Sequence, residues 1–556
     1  MAFGSTTIWD VRSSGNDTNN GGGFDQGNAN MATDLAATSA TGSSPVVTSA
    51  TYNFAAGDVG HWVYVKSGTN WTPGWYQIAS VAANAATLTA GVGTVPLTTK
   101  AMNTVAGCAT VASPTSGTWT IDYSQADSPR ISFTDMVIGV TTTTFTSVAN
   151  PITTAMVGNT IAVTSGTGFT VQRVQVSSVN LGSLVATCDK SLGTTGSTGG
   201  NGGLGGALAS PGMLGSLIGT LNGNMAFVAS ATYNTSASNN VSGGNCTIDL
   251  TSSGSTAFLL GYQTTRYDYG TKPILKANAN SQTVMSLMRG TIWFRNFEIQ
   301  GTGKTTITGI QSGGFSGAAN IFIVDCKVKD CDTVGIKDAS SASTFLFKCE
   351  VTGCSGTVAN GAVNISVDGN CLAVGCYIHD NTVNGGTFNG TRLIACIFDT
   401  NTGGSTQGAQ FNSNKATAIG CVAYGNGQHG FAAMGTCNMV NCIAETNTGT
   451  GFQGMANTQA LFNCAAYNNG TNFDSTTVFT NIGSITGTAS FFTNAAAADF
   501  SLNNTSGGGA GLRATGYPTV FPAALTTNYL DVGAAQHTTT AGGLYVHPGM
   551  TGGPRG

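Results

Sequence analysis

The chain has 556 residues, too many for one ordinary core, so several domains or a repeat array are expected. Charged residues make up only 8% while hydrophobic ones reach 41%, which argues against disorder, a state of few apolar residues and high net charge. A net charge of −4 argues against nucleic acid as a partner, and no apolar run of about 18 residues is available for a membrane span.

Charge has been replaced by Gly, Ser, Thr and Asn, the composition of an all-β chain with many turns. Residues 1–30 read as an opening segment. They contain neither the basic nor the apolar region of an ordinary secretory signal, so assembly in a host cytoplasm is expected. The cluster of Asn16, Asp17, Asn20 and Asp25 lacks the order of a calcium loop and reads as Asx-rich turns.

Two gapless segments 98 residues apart then resemble one another. Residues 59–81 and 157–179 share 10 identities in 23 positions, including Val59/Val157, Gly68/Gly166 and the Trp71/Phe169 aromatic pair in equivalent places. Both show strand alternation, a Gly-containing turn and another strand. Two duplicated small β modules are expected, at 31–110 and 111–195. A Gly-rich stretch follows and reads as a linker over 196–222.

The strongest signal lies in residues 324–473, inside a predicted coiled region of 223–480. Cys326, Cys349, Cys376, Cys396, Cys421, Cys442 and Cys464 recur at spacings of 23, 27, 20, 25, 21 and 22 residues. Each is flanked by apolar residues with period two, the mark of a strand with one buried face. Five residues later comes a second column, Cys331, Cys354, Asn381, Asn401, Asn426, Asn447 and Asn469. Asparagine tolerates left-handed backbone and its amide can bond to equivalents above and below, so it suits the bend between strands. A third column, Ile336, Ile365, Phe388, Phe411, Phe431, Phe452 and Phe473, reads as inward side chains of a further strand. Units of this length cannot bury their own apolar side, but stacked units can. A parallel β-helix is predicted. The cysteines then form a ladder of small buried hydrophobes rather than disulfides. No matching Cys/His pair accompanies Cys326/Cys331, so neither zinc nor any cofactor is expected.

Residues 481–556 are predicted to close the structure. Three stretches are similar to the right-handed parallel β-helix superfamily that includes pectate lyases and phage tailspikes. They are the Asn/Gly-rich opening at 11–24, the strand at 227–233 ending in Tyr233, and the pairing of 498–502 with 529–534. The resemblance implies an all-β chain: a right-handed parallel β-helix solenoid with two N-terminal modules and a C-terminal β cap. It specifies a fold and not an activity.

Function is sought on the outward row three residues after each cysteine: Lys329, Thr352, His379, Asp399, Tyr424, Glu445 and Tyr467. Alternation predicts that this row faces solvent. Asp399 and Glu445 would lie two coils apart, roughly 9–10 Å by strand spacing, near the separation an inverting glycosidase uses. With His379 they are the candidate catalytic groups, and Tyr377, Tyr424 and Tyr467 could stack on sugar rings. Scattered acidic residues make a carboxylate cluster scarce. The expected function is therefore a virion structural or receptor-binding protein of fibre, spike or capsid-decoration type. It would be a homotrimer, with other virion proteins and a host surface glycan as partners. The alternatives are a tailspike-like polysaccharide hydrolase or lyase and, at the cell surface, a bacterial adhesin.

Overall fold

The fold is taken from a computed structural model. It describes residues 6–18, 21–25, 27, 31–37, 46–88, 114–218, 224–235, 246–250, 254–313, 319–338, 342–356, 361–365, 371–403, 406–412, 415–454, 459–474, 479–513 and 532–534. The chain divides into two compact units, one of residues 1–233 with 254–273 and one of 234–253 with 274–556.

In the first unit, Thr7–Val11 pairs in parallel with Asn224–Ala229, which pairs in parallel with Thr256–Tyr262. Two six-stranded closed barrels lie in the chain between the first two of these strands. One uses Ala32–Ala37, Val46–Thr48, Trp62–Thr69, Gly74–Ala82, Ala85–Leu88 and Thr115–Asp122. The other uses Ile131–Ile138, Thr144–Thr146, Thr160–Ser165, Gln172–Asn180, Val185–Cys188 and Gly200–Leu204. Numbered in chain order within each barrel, both wind as 1-2-5-4-3-6, so the internal similarity marks two copies of one topology.

The module boundaries expected at 110 and 195 move. Each would omit the sixth strand, which pairs with the first to close its barrel. The second of these strands is the glycine-rich stretch read as a linker. Glycine serves packing there: a Cβ on Gly200 would lie 2.4 Å from the Phe169 ring, and one on Gly117 would lie 2.8 Å from Trp71 Nε1 at the equivalent place. The remainder of the supposed linker includes the helix Pro211–Ile218, whose preceding Ser210 is held by Asp17. Asp17 thus pins a loop, while Asn20 lies outside the described residues.

Arg266 is buried in this unit. Its guanidinium reaches Asp10 at 3.1 Å, Asp122 at 2.7 Å and the Ser124 hydroxyl at 2.8 Å. Tyr262 also donates to Asp10, at 2.9 Å.

The second unit is the parallel β-helix, right-handed as parallel crossovers are. One coil runs Leu372–Val374, Tyr377–His379, Gly386–Phe388, and the next runs Arg392–Ile394, Ile397–Asp399, Ala409–Phe411. Strands before the ladder cysteines stack into a first sheet, those after the cysteines into a second, and those after the asparagines into a third.

Both bends are made by single left-handed residues. They precede the cysteines at Asp325, Lys348, Gly375, Ala395, Gly420, Asn441 and Asn463, and the asparagines at Asp380, Thr400, Gly425, Thr446 and Asn468, with φ between 47° and 61°. The ladder asparagines themselves are not left-handed, contrary to the sequence reading. Their amides do the other task expected of them. Nδ2 donates to the next Oδ1 from Asn381 to Asn401 at 2.8 Å, Asn401 to Asn426 at 2.9 Å, Asn426 to Asn447 at 2.8 Å and Asn447 to Asn469 at 2.8 Å.

The described cysteines are buried thiols that form no disulfide among the described residues. Several ladder thiols donate to a carbonyl one coil earlier, as Cys396 does to Ala373 at 3.4 Å. The third column slips by two residues twice, where Ile336 pairs with Val363 and Phe411 with Ala433. A two-residue slip keeps the same face inward. Phe431, Phe452 and Phe473 remain stacked at 5.4 Å.

Candidate functional site

The second sheet positions the candidate row, and strand pairing confirms its alignment from Lys329 through Thr352, His379, Asp399, Tyr424 and Glu445 to Tyr467. A parallel outward row lies two residues earlier. It is charged at Glu298, Lys327 and Glu350, then turns apolar through Tyr377, Ile397, Val422, Ile443 and Ala465. That change divides the face in two.

Over the apolar half lies the chain's own C-terminal segment. Phe491, Phe492, Phe500, Leu502, Leu512 and Val532 pack there on Tyr377, Ile397, Val422, Ile443 and Ala465. Within the segment, Phe492–Asn494 pairs antiparallel with Asp499–Leu502, the latter in the stretch marked as a closing strand; residues 529–531 lie outside the described residues.

The solvent-facing row expected from alternation is overturned here. Asp399 is 0% exposed and Glu445 2%. The Tyr377 hydroxyl donates to Asp399 Oδ2 at 2.7 Å, and the Thr400 hydroxyl donates to Oδ1. Glu445 fastens the segment by accepting from Ser490 Oγ at 2.6 Å and the Phe491 amide at 3.0 Å. Burial pushes its carboxyl up, against the pull of these two donors. Two carboxyls flanking a sugar bond must reach it from either side, and these two lie beneath protein.

The tyrosines serve the same interface. Tyr377 is buried, and its ring lies edge-on to Phe500. Tyr424 meets Phe492 and Phe500, and Tyr467 meets Phe491. As described, they pack protein rings rather than present open platforms for sugar.

The charged half holds the groups with chemistry. Glu350 Oε1 is 2.9 Å from Lys327 Nζ and 3.2 Å from His379 Nε2, while His379 Nδ1 is 2.8 Å from Asp380 Oδ2. The imidazole stacks on Tyr377 with centroids 4.0 Å apart. Burial opposes ionisation of Glu350, but its bonds to His379 and Lys327 outweigh that and hold it down at about 2. Burial likewise disfavours the His379 cation, yet the Asp380 and Glu350 contacts raise its pKa overall. A protonated His379 donates from both nitrogens to two carboxylates, which favours its cationic form. Next to it, Lys329 pairs with Glu298 at 2.8 Å.

Of the predicted catalytic residues, His379 alone belongs to this cluster, and the structure adds Glu350, Asp380 and Lys327. The earlier outward row carried the missed signal, since Glu298, Lys327 and Glu350 stand where later coils carry aliphatic residues. Among the described residues, no group of three His, Cys, Asp or Glu side chains is arranged to hold a metal, and no helix is long and apolar enough to cross a membrane.

No known family profile matches the chain, and neither does any curated protein. Two solved structures match parts of the chain. The pectate lyase Pel9A aligns with a TM-score of 0.36 at 13% identity, over 57% of this chain and 88% of that one. The ORF18 protein of Geobacillus virus E2 aligns with a TM-score of 0.23 at 12% identity, over 50% of this chain and 56% of that one. The strand pairing of the chain itself makes it a parallel β-helix protein.

Proposed function

We propose that the protein is a structural or receptor-binding component of a virion, of phage fibre, spike or capsid-decoration type, that presents its β-helix as a stiff scaffold. The observation that carries this reading is the use made of the second sheet's outer face. Over its apolar half, Glu445 clamps the C-terminal segment and Tyr377, Tyr424 and Tyr467 pack against it. Scarce surface charge and a continuous amide ladder suit a durable particle component. In this reading the protein is a homotrimer that contacts other virion proteins and, at its tip or flank, a host surface glycan.

A polysaccharide-cleaving role is the second reading, favoured by the His379, Glu350, Asp380 and Lys327 cluster on the uncovered half of the row. One experiment separates them. The full chain is incubated with capsular or cell-wall glycans, and both retention and new reducing or unsaturated ends are measured. Retention without new ends is the expected result. Sustained release of ends, abolished by His379→Ala or Glu350→Gln in correctly folded protein, would replace the scaffold reading with the enzymatic one.

A further inference from the structure

The first sheet carries an outer face unlike that of the second. Its outward column nearest the bend runs Val324, Phe347, Val374, Ile394, Ile419, Val440, Phe462 and Ile482, one residue per coil, in unbroken register. Every one is apolar. The first seven are half-buried and Ile482 is 49% exposed. The outward column beside it opens with Trp293, Phe322 and Phe345, whose rings stack at 4.1 and 4.6 Å, and becomes polar through Arg392, Thr417 and Asn438.

Outward positions of a sheet buried on one side are ordinarily polar. This chain breaks that pattern on the second sheet as well, at Ile397, Val422, Ile443 and Ala465, and there the C-terminal segment leaves each of them 0% exposed. On the first sheet the same kind of stripe stays partly open.

We propose that this stripe is the surface on which copies of the chain meet. Three features favour a second copy over a different protein. The column steps by one strand spacing, about 4.8 Å, and a second copy presents the same step, so side chains can interleave along the whole length. The eight rungs from Val324 to Ile482 carry no charge, Arg295 standing one rung before them, so along this length identical faces meet without like-charge repulsion. The area is also suitable. Eight rungs span about 34 Å, and a stripe about 12 Å wide gives a dry core of about 400 Å² per copy. With a rim from the polar columns beside it, that approaches the roughly 800 Å² a standard interface takes from each partner. The inference rests on the oligomeric part of the proposed function, to which it adds the contacting face.

The test is the native mass of the full chain at micromolar concentration, with Ile394→Glu/Ile419→Glu as the disrupting variant. Wild type is expected as a multimer, and the variant at the mass of one 56.0 kDa chain with its β circular dichroism unchanged. Should that variant fail to fold, Ile394→Cys under mild oxidation is expected to give a covalent dimer, while Gln410→Cys on the third sheet does not. A wild-type monomer would overturn both the oligomeric reading and this face. A wild-type multimer that persists in the folded variant, or that Ile394→Cys does not cross-link, would overturn the face and leave the oligomer standing. A monomer that binds an apolar dye only after removal of residues 535–556 would assign the stripe to the chain's own C-terminal end, and would equally overturn the proposal.

Discussion

The barrel-bearing unit and the coiled unit hide polar groups in opposite ways. In the first, charges are buried in sets: Arg266 lies between Asp10 and Asp122, and Asp58 accepts from Tyr52, Tyr123, Arg130 and the Ala55 amide. Burial raises the Asp10 pKa against the pull of Arg266 and Arg12. In the second, the buried partners are largely neutral and self-similar, as when Asn426 takes its bond from Asn401 and gives one to Asn447. Translation explains the difference. In a stack, the same amide recurs at hydrogen-bonding distance, so one residue type serves as donor and acceptor in turn. Segments that meet once, from residues 10, 122 and 266, have no such repetition and rely on a forked cation between anions.

Breaking each device should expose that contrast. Arg266→Met leaves Asp122 buried without its cation and Asp10 with Arg12 alone, and is expected to cost about 3–5 kcal/mol. Chemical denaturation followed by tryptophan fluorescence measures it, and adding Asp10→Asn with Asp122→Asn should recover part of the loss. Asn426→Ala removes two bonds to Asn401 and one each to Phe398 and Asn447, and is expected to cost about 2–3 kcal/mol. Hydrogen exchange in neighbouring coils should rise, and Asn469→Ala, at the last rung, should do less.

The outward cluster should matter least. Glu350→Gln and His379→Gln are each expected to change stability by no more than about 1 kcal/mol, since both groups touch solvent. Their pH dependence has a definite sign. The depressed Glu350 contributes above its unfolded value of 4.5 and loses that contribution as pH falls toward about 2. The raised His379 contributes below its unfolded value of 6.5 and loses that contribution as pH rises through its higher folded value. Thermal melts should therefore separate wild type from either variant most clearly between these two unfolded values.

The sequence made the coils legible because stacking writes the same residue into each turn. Cys376 to Cys464 and Asn381 to Asn469 are visible without any structure. The bend residues are not, since Lys348, Ala395 and Thr400 have no preference for the left-handed region and adopt it because the stack demands it. Barrel closure was hidden for another reason. Gly200–Leu204 carries almost no strand signal of its own, and its glycines make sense only against their neighbours, Gly200 against Phe169 and Gly202 against Ala162 and Ile161. At the site, alternation identified the outward row but could not reveal what covers it. Glu445 is bonded by Ser490 and Phe491, and Tyr377, which bonds Asp399, packs on Phe500, all of them far along the chain.

The boundary at Tyr377 also sets how this protein can change in length. A coil inserted before it would lengthen the stack by about 4.8 Å and leave the fit of the C-terminal segment untouched, because that segment rests on later rungs. The same insertion between Cys396 and Glu445 would separate the Tyr377–Asp399 end of the cover from the Glu445 clamp by one rung. Reach can therefore be tuned by duplication on one side of Tyr377 only, while the other side is held to a fixed gauge.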